Sequence, residues 1–266
     1  MPQSRKVIGK VFSLAQPGSD FPGRLRNKLG GWVGHFSPRC TVEAVGDSST
    51  LECDLARLFS SQERHLVSES CLAAERQLKD KQQAGLAGSL IFEACHNGTE
   101  TFGRLCYLVT RYLRPTWVVE TGVAHGVTST YILQGLRDNT HGTLHSIDLP
   151  PLIPDAAKHV GQFIPHSLRD RWRLTIGSAR KVLPRVLETA GTIDIFVHDS
   201  LHTYSHMKWE LEAALTVLRP GGVLIADDIE GNQAFEEMTR EPSVASWVAI
   251  RQQGKDAICG ALRTKV

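Results

Sequence analysis

Val118-Val119-Glu120-Thr121-Gly122-Val123-Ala124-His125-Gly126 is the segment on which the reading of the fold turns. An apolar strand ends in an acid, and the glycines that follow let the backbone turn sharply and approach a ligand. Downstream the pattern becomes regular: strand Thr116–Thr121, helix from Gly126, strand Thr143–Asp148, helix near Ala156, strand Trp172–Ile176, helix 179–190, strand Ile193–Asp199, helix 204–218, strand Val223–Asp227. These strands are too uniformly apolar to have a wet face, so they specify a parallel sheet covered on both sides, a doubly wound α/β domain. A helix near Gln233–Thr239 follows, then strand-like runs Ser246–Arg251 and Ala257–Leu262. The short Gln252–Asp256 link between them predicts an antiparallel hairpin at the end of the sheet.

Upstream, Thr99–Leu113 has a helical apolar face stopped by Pro115, and 54–83 has the texture of one or two amphipathic helices, suited to cap a substrate mouth or to make a subunit contact in a homo-oligomer. The first third is broken by Pro17-Gly18, Pro22-Gly23, Gly30-Gly31 and Pro38. We therefore expect a mainly helical and irregular N-terminal extension over 1–97 and a catalytic domain over 98–266. Residues 1–40 carry seven Lys or Arg against one acid, Asp20, but the basic residues are spread out rather than packed into one block, which favours a solvated extension over an arm for an anionic partner.

The whole chain of 266 residues is 41% apolar, with a net charge of +2, which gives no global argument for nucleic acid. Its six cysteines form no CxxC pair and suit reduced thiols. No run approaches the ~20 apolar residues that span a bilayer, so a cytoplasmic protein is expected.

In open α/β sheets, ligands bind beyond the carboxyl ends of the strands at a switch point. There the first strand offers Glu120, Gly122, Ala124 and Gly126, and the second ends at Asp148, a carboxylate able to accept both hydroxyls of a ribose. The spacing E-x-G-x-A-x-G departs from the G-x-G-x-x-G of nicotinamide dehydrogenases. Further along, Ile195-Phe196-Val197-His198-Asp199-Ser200-Leu201-His202-Thr203-Tyr204 and, after one helix, Pro220-Gly221-Gly222-Val223-Leu224-Ile225-Ala226-Asp227-Asp228 place three carboxylates at the ends of two neighbouring strands. Like charges so close shift each other's pKa values unless a cation compensates them, and an all-oxygen set suits Mg²⁺. Taken singly, Asp199 reads equally well as a turn acid, and Asp227-Asp228 as a helix cap.

The glycine turn with Asp148 resembles the first motif of class I S-adenosylmethionine-dependent methyltransferases. The order D-S-x-H-x-Y, helix, P-G-G, strand, D-D resembles their metal-dependent branch, which contains macrolide-sugar O-methyltransferases and cephalosporin-biosynthesis methyltransferase-like proteins. The resemblance covers about residues 98–266 and implies a Rossmann-like seven-stranded sheet. It also implies cofactor contacts at Glu120, Gly122, Ala124, Gly126, Asp148, Ser178 and His198, with Glu120 facing the methionine part. Ser178 stands where related enzymes often carry an acid for the adenine amine. Asp199, Asp227 and Asp228 become ligands of Mg²⁺ or Mn²⁺, and His202 the general base, with His206 one turn on as a stand-in. Tyr204 and Trp209 read as core, and Glu230 as an outer partner or a helix-start acid. The implied reaction is O-methylation of a small-molecule hydroxyl, on a sugar or polyol-like natural product. Metal-independent methylation of nitrogen or a carboxylate, or a non-catalytic cofactor-binding scaffold, are the alternatives. Residues choosing the acceptor are expected in the first 97 positions and around Leu149–His166.

Overall fold

The structure, a computed structural model, describes residues 39–61, 65–86, 91–92 and 98–266. The turn-rich segment 1–38, with six of the seven basic residues counted over 1–40, lies outside these. In chain order the elements are α1 (Leu51–Leu58), α2 (Glu69–Leu86), α3 (Glu100–Leu113), β1 (Trp117–Thr121), α4 (Val127–Asp138), β2 (Thr143–Asp148), β3 (Trp172–Ile176), α5 (Ala179–Ala190), β4 (Ile193–His198), α6 (Tyr204–Leu215), β5 (Leu218–Ala226), α7 (Ala234–Thr239), β6 (Val244–Arg251) and β7 (Ile258–Thr264).

The seven strands form one sheet in the order β3-β2-β1-β4-β5-β7-β6. The first five are parallel, and β7 runs antiparallel to both β5 and β6. Strand periodicity explains the two layers of core. Val118, Ile195, Val197, Val223 and Ile225 point to the face covered by α3 and α4. Their neighbours Val119, Phe196, Leu224 and Ala226 point to the face covered by α5, α6 and α7. Leu51, Leu55 and Leu58 of α1 and Cys71 and Leu78 of α2 join the first layer. At the start of α3, Thr99 caps the helix by accepting the Phe102 N–H, and at its end Arg114 turns left-handed just before Pro115.

Two expectations need correction. The helix near Ala156 is only two short 3₁₀ turns, Ala156–His159 and His166–Arg171. Pro150, Pro151, Pro154 and Pro165 leave that crossover too few donors and too fixed a backbone for an α-helix. Strand β5 begins at Leu218 rather than Val223, because Leu218 pairs with Ile193 before the ladder resumes at Ile195 and Val223. Pro220-Gly221-Gly222 bulges out between these pairings, since proline has no N–H for the ladder. The C-terminal hairpin is present, and among the described residues no helix is long and apolar enough to cross a membrane.

Candidate active site

The order of the sheet reverses between β1 and β4, and a cavity of about 620 Å³ opens there beyond the carboxyl ends of the strands. One half is built on the β1 turn. Gly122 has φ +86°, and a Cβ on it would lie 1.8 Å from the Asp199 carbonyl oxygen, so only glycine lets this turn pass the end of β4. Asp148 fixes the turn: its Oδ2 accepts the N–H groups of Val123 at 2.7 Å and Ala124 at 2.9 Å.

Of the cofactor-site candidates, Gly122, Ala124 and Asp148 are on the cavity wall, whereas Glu120, Gly126, Ser178 and His198 lie behind it. Glu120 is fully buried; its Oε2 accepts the Ser129 and Ser146 hydroxyls, both at 2.6 Å, and its Oε1 has no partner. Burial raises it to about 7, against the pull of those two hydroxyls. Its side chain is therefore held between α4 and β2 instead of facing the cavity. Gly126 begins α4 and packs on Gly161 and Ile164. Ser178 is buried with an unpartnered hydroxyl between two wall residues, Gly177 and Ala179.

The other half holds the acids. Asp199, His202 and Asp227 each bring one donor atom to a group within 4.8 Å of one another. Asp228, expected in this set, is turned aside in a left-handed backbone conformation, with its Oδ2 3.6 Å from His202 Nδ1 and its Oδ1 2.5 Å from Lys255 Nζ. Burial first, then the neighbouring Asp227, Glu120 and Asp228 charges, push Asp199 well above the ordinary carboxylate range. Asp227 is raised to about 6 by burial and by Asp228. Burial, with the His198 ring beside it, holds His202 below the usual imidazole value. Its Nε2 is buried, without a hydrogen-bond partner, and 4.0 Å from Asp199 Oδ1.

Three functional side chains escaped the sequence reading. Glu210, on α6, is fully buried beneath the acids. Its Oε2 accepts Thr121 Oγ1 and bonds His198 Nδ1, both at 2.6 Å; its Oε1 bonds His206 Nε2 at 2.9 Å; and Ser200 Oγ donates across both oxygens at 3.1 Å. Burial alone would raise Glu210, but the His198 and His206 contacts outweigh it and hold the carboxylate well below its ordinary range. One buried anion thus ties the ends of β1 and β4 to α6. The i,i+4 pair His206 and Glu210 was its visible trace in the sequence. The other two, Gln252 and Lys255, come from the β6–β7 link. Gln252 donates to Asp227 Oδ1 at 2.6 Å and accepts from Thr99 at 2.5 Å. Lys255 Nζ stands 3.5 Å from Asp227 Oδ2, and although burial works against its charge, Asp227 and Asp228 raise its pKa.

The remaining candidates are structural. Tyr204 and Trp209 pack against the second core layer, and Glu230 Oε2 accepts the Ile258 N–H at the start of β7.

A doubly wound sheet with a glycine turn and a strand-end acid beside it at the switch point is the arrangement in which open α/β folds bind a nucleoside cofactor, here with an acid cluster across the same cavity. A family described as a methyltransferase domain matches residues 119–229. A Mycobacteroides abscessus protein, provisionally assigned as an O-methyltransferase, is 30% identical over 159 residues, 59% of this chain and 69% of that one. A protein of Mycobacterium avium with the same assignment is 24% identical over 80% of this chain and 86% of its own. The crystal structure of an O-methyltransferase from Bacillus cereus in complex with S-adenosylhomocysteine shares the fold, with a TM-score of 0.59 at 17% identity, covering 81% of this chain and 97% of that one. The chain belongs to the class I S-adenosylmethionine-dependent methyltransferases and groups with their O-methyltransferases.

Proposed function

We propose that this protein transfers the methyl group of S-adenosylmethionine to a hydroxyl oxygen of a small molecule, with Mg²⁺ or Mn²⁺ held at the Asp199–Asp227 cluster. The observation that carries the reading is that Asp199, Asp227 and His202 converge on the wall of the same cavity that the glycine turn and Asp148 form. The donor set fits such an ion. Two carboxylates suit a hard cation, burial and neighbouring carboxylate charges raise both of them, and the buried His202 Nε2 lacks a partner. When bound, the ion would supply positive charge to stabilise a substrate oxygen that is losing its proton.

The protein's own residues do the rest. Asp148 holds the turn in shape for the cofactor. Asp228, beside Nδ1, favours the tautomer with the proton on that nitrogen, which leaves the Nε2 lone pair of His202 facing the cluster. His202 Nε2 then takes the hydroxyl proton as the carbon–sulfur bond breaks and the carbon–oxygen bond forms, leaving a methyl ether and adenosylhomocysteine. Glu210 positions His198, against whose ring His202 stands at a centroid distance of 5.3 Å. Phe92, Val123 and Ile147 give the cavity wall an apolar stretch.

The grouping of His202 with Asp199 and Asp227 favours a second reading for this residue, as a ligand of the ion. For the acceptor, resemblance to macrolide-sugar methyltransferases supports a sugar or polyol-like hydroxyl. The test is labelled cofactor with a panel of sugars, glycosides and catechols, reading which atom carries the label. Methyl on oxygen supports the proposal, and methyl confined to nitrogen or a carboxylate overturns it.

A further inference from the structure

The β6–β7 link brings an ammonium onto Asp227, assigned above to a divalent ion, and onto its neighbour Asp228. Lys255 Nζ lies 2.5 Å from Asp228 Oδ1 and 3.5 Å from Asp227 Oδ2, on the cavity wall. Among the described residues, Lys255 is the Lys or Arg that pairs with these carboxylates. Both oxygens of Asp227 are engaged, Oδ1 by the Gln252 amide and Oδ2 by the Lys255 ammonium. An ion that reaches Asp227 through Oδ2 must therefore share that oxygen with a like charge or displace it. Displacement is open to Lys255: its side chain is 34% exposed, it ends a flexible four-carbon stem, and the Gly254 before it has open space around its Cα.

We propose that Lys255 is a tethered counter-cation of the cluster, anchored on Asp228 and competing with the divalent ion for Asp227, and so setting how tightly the site takes metal. The inference rests on the metal reading above. Without the ammonium, Asp199 and Asp227, with Asp228 beside them, have only neutral partners, His202, the Gln252 amide and the Thr128 hydroxyl, which donates to Asp199 Oδ2 at 3.2 Å. With it, the cluster is partly neutralised, and metal binding gives up the Lys255–Asp227 pair. The site would thus fill in proportion to the ion supply rather than hold its ion permanently.

The experiment is calorimetric titration of Mn²⁺ into the full chain, with adenosylhomocysteine binding as the check on folding. The proteins are wild type, Lys255→Met, Lys255→Gln, Lys255→Arg and Asp199→Asn. We expect Lys255→Met and Lys255→Gln to bind Mn²⁺ at least about tenfold more tightly than wild type, Lys255→Arg to bind like wild type, and Asp199→Asn to lose binding. Detectable binding only in the Lys255→Met and Lys255→Gln proteins would also support the proposal. Unchanged or weaker binding in both of these variants, with wild type still binding, overturns the counter-cation role and leaves the metal reading standing. Absence of Mn²⁺ binding in all five, with adenosylhomocysteine still bound, overturns both.

Discussion

Replacing Glu210 with glutamine keeps the volume of a fully buried side chain while removing its charge and converting one of its two acceptor oxygens into a donor. In the structure Oε2 serves Thr121 and His198, Oε1 serves His206, and Ser200 spans both. Whichever way the amide is turned, its NH₂ meets at least one group that donates to the wild-type carboxylate. If it takes the Oε2 place it faces Thr121 and His198 together. Hydrogen bonds to a buried charge contribute about 1.5–3 kcal/mol each, and breaking a buried charged pair costs about 3–5 kcal/mol. We expect Glu210→Gln to lose about 3–5 kcal/mol. For a chain of this size, where 1 kcal/mol shifts Tm by about 2 °C, a fall of about 5–10 °C follows. Because His198 and Ser200 border the acid cluster, kcat should fall as well, while adenosylhomocysteine affinity, set by the β1 turn, should change much less. The assays are differential scanning calorimetry, adenosylhomocysteine titration and turnover with the best acceptor. A Glu210→Gln protein that melts within about 2 °C of wild type and turns over at the wild-type rate would refute the reasoning.

A second prediction concerns pH. Burial raises Glu120 from 4.5 in the unfolded reference to about 7, so between these values the folded protein keeps a proton that the unfolded chain has lost. This contribution to stability falls as pH rises from about 4.5 to 7 and is flat above. Glu120→Gln removes it, so the Tm of the variant relative to wild type should rise between pH 5 and pH 8; an unchanged difference would contradict the assignment. The third concerns His202. As a general base, its replacement by glutamine should leave Mn²⁺ affinity within about threefold of wild type while lowering kcat at least about a hundredfold. Loss of Mn²⁺ binding in this variant would instead make His202 a ligand.

The parts of this molecule that local chemistry determines could be read from its residues. Strand alternation at Val118/Val119 and Ile195/Phe196/Val197, the Gly122 turn and the acids at the ends of β4 and β5 all depend on neighbours a few positions away. The strand–helix alternation places a helix in the crossover after β2, where Pro150, Pro151, Pro154 and Pro165 decide the backbone instead. Glu120 was expected in the cavity by its position two residues before Gly122, yet the pleat sends its side chain to the Ser129 and Ser146 hydroxyls. Glu210, Gln252 and Lys255 were out of reach for another reason. A buried glutamate on α6 reads like any exposed helical acid until three donors from the ends of β1 and β4 join His206 of its own helix around it. Lys255 becomes part of the site only when the hairpin folds back over the end of β5.

The central claim is that methyl transfer to oxygen depends on a divalent ion at the Asp199–Asp227 cluster. Its most direct test is turnover of labelled S-adenosylmethionine with a hydroxyl acceptor after exhaustive chelation, followed by re-addition of Mg²⁺ or Mn²⁺. The account predicts that transfer stops in excess EDTA, returns with the ion, and does not return in Asp199→Asn. Undiminished transfer in excess EDTA would contradict it.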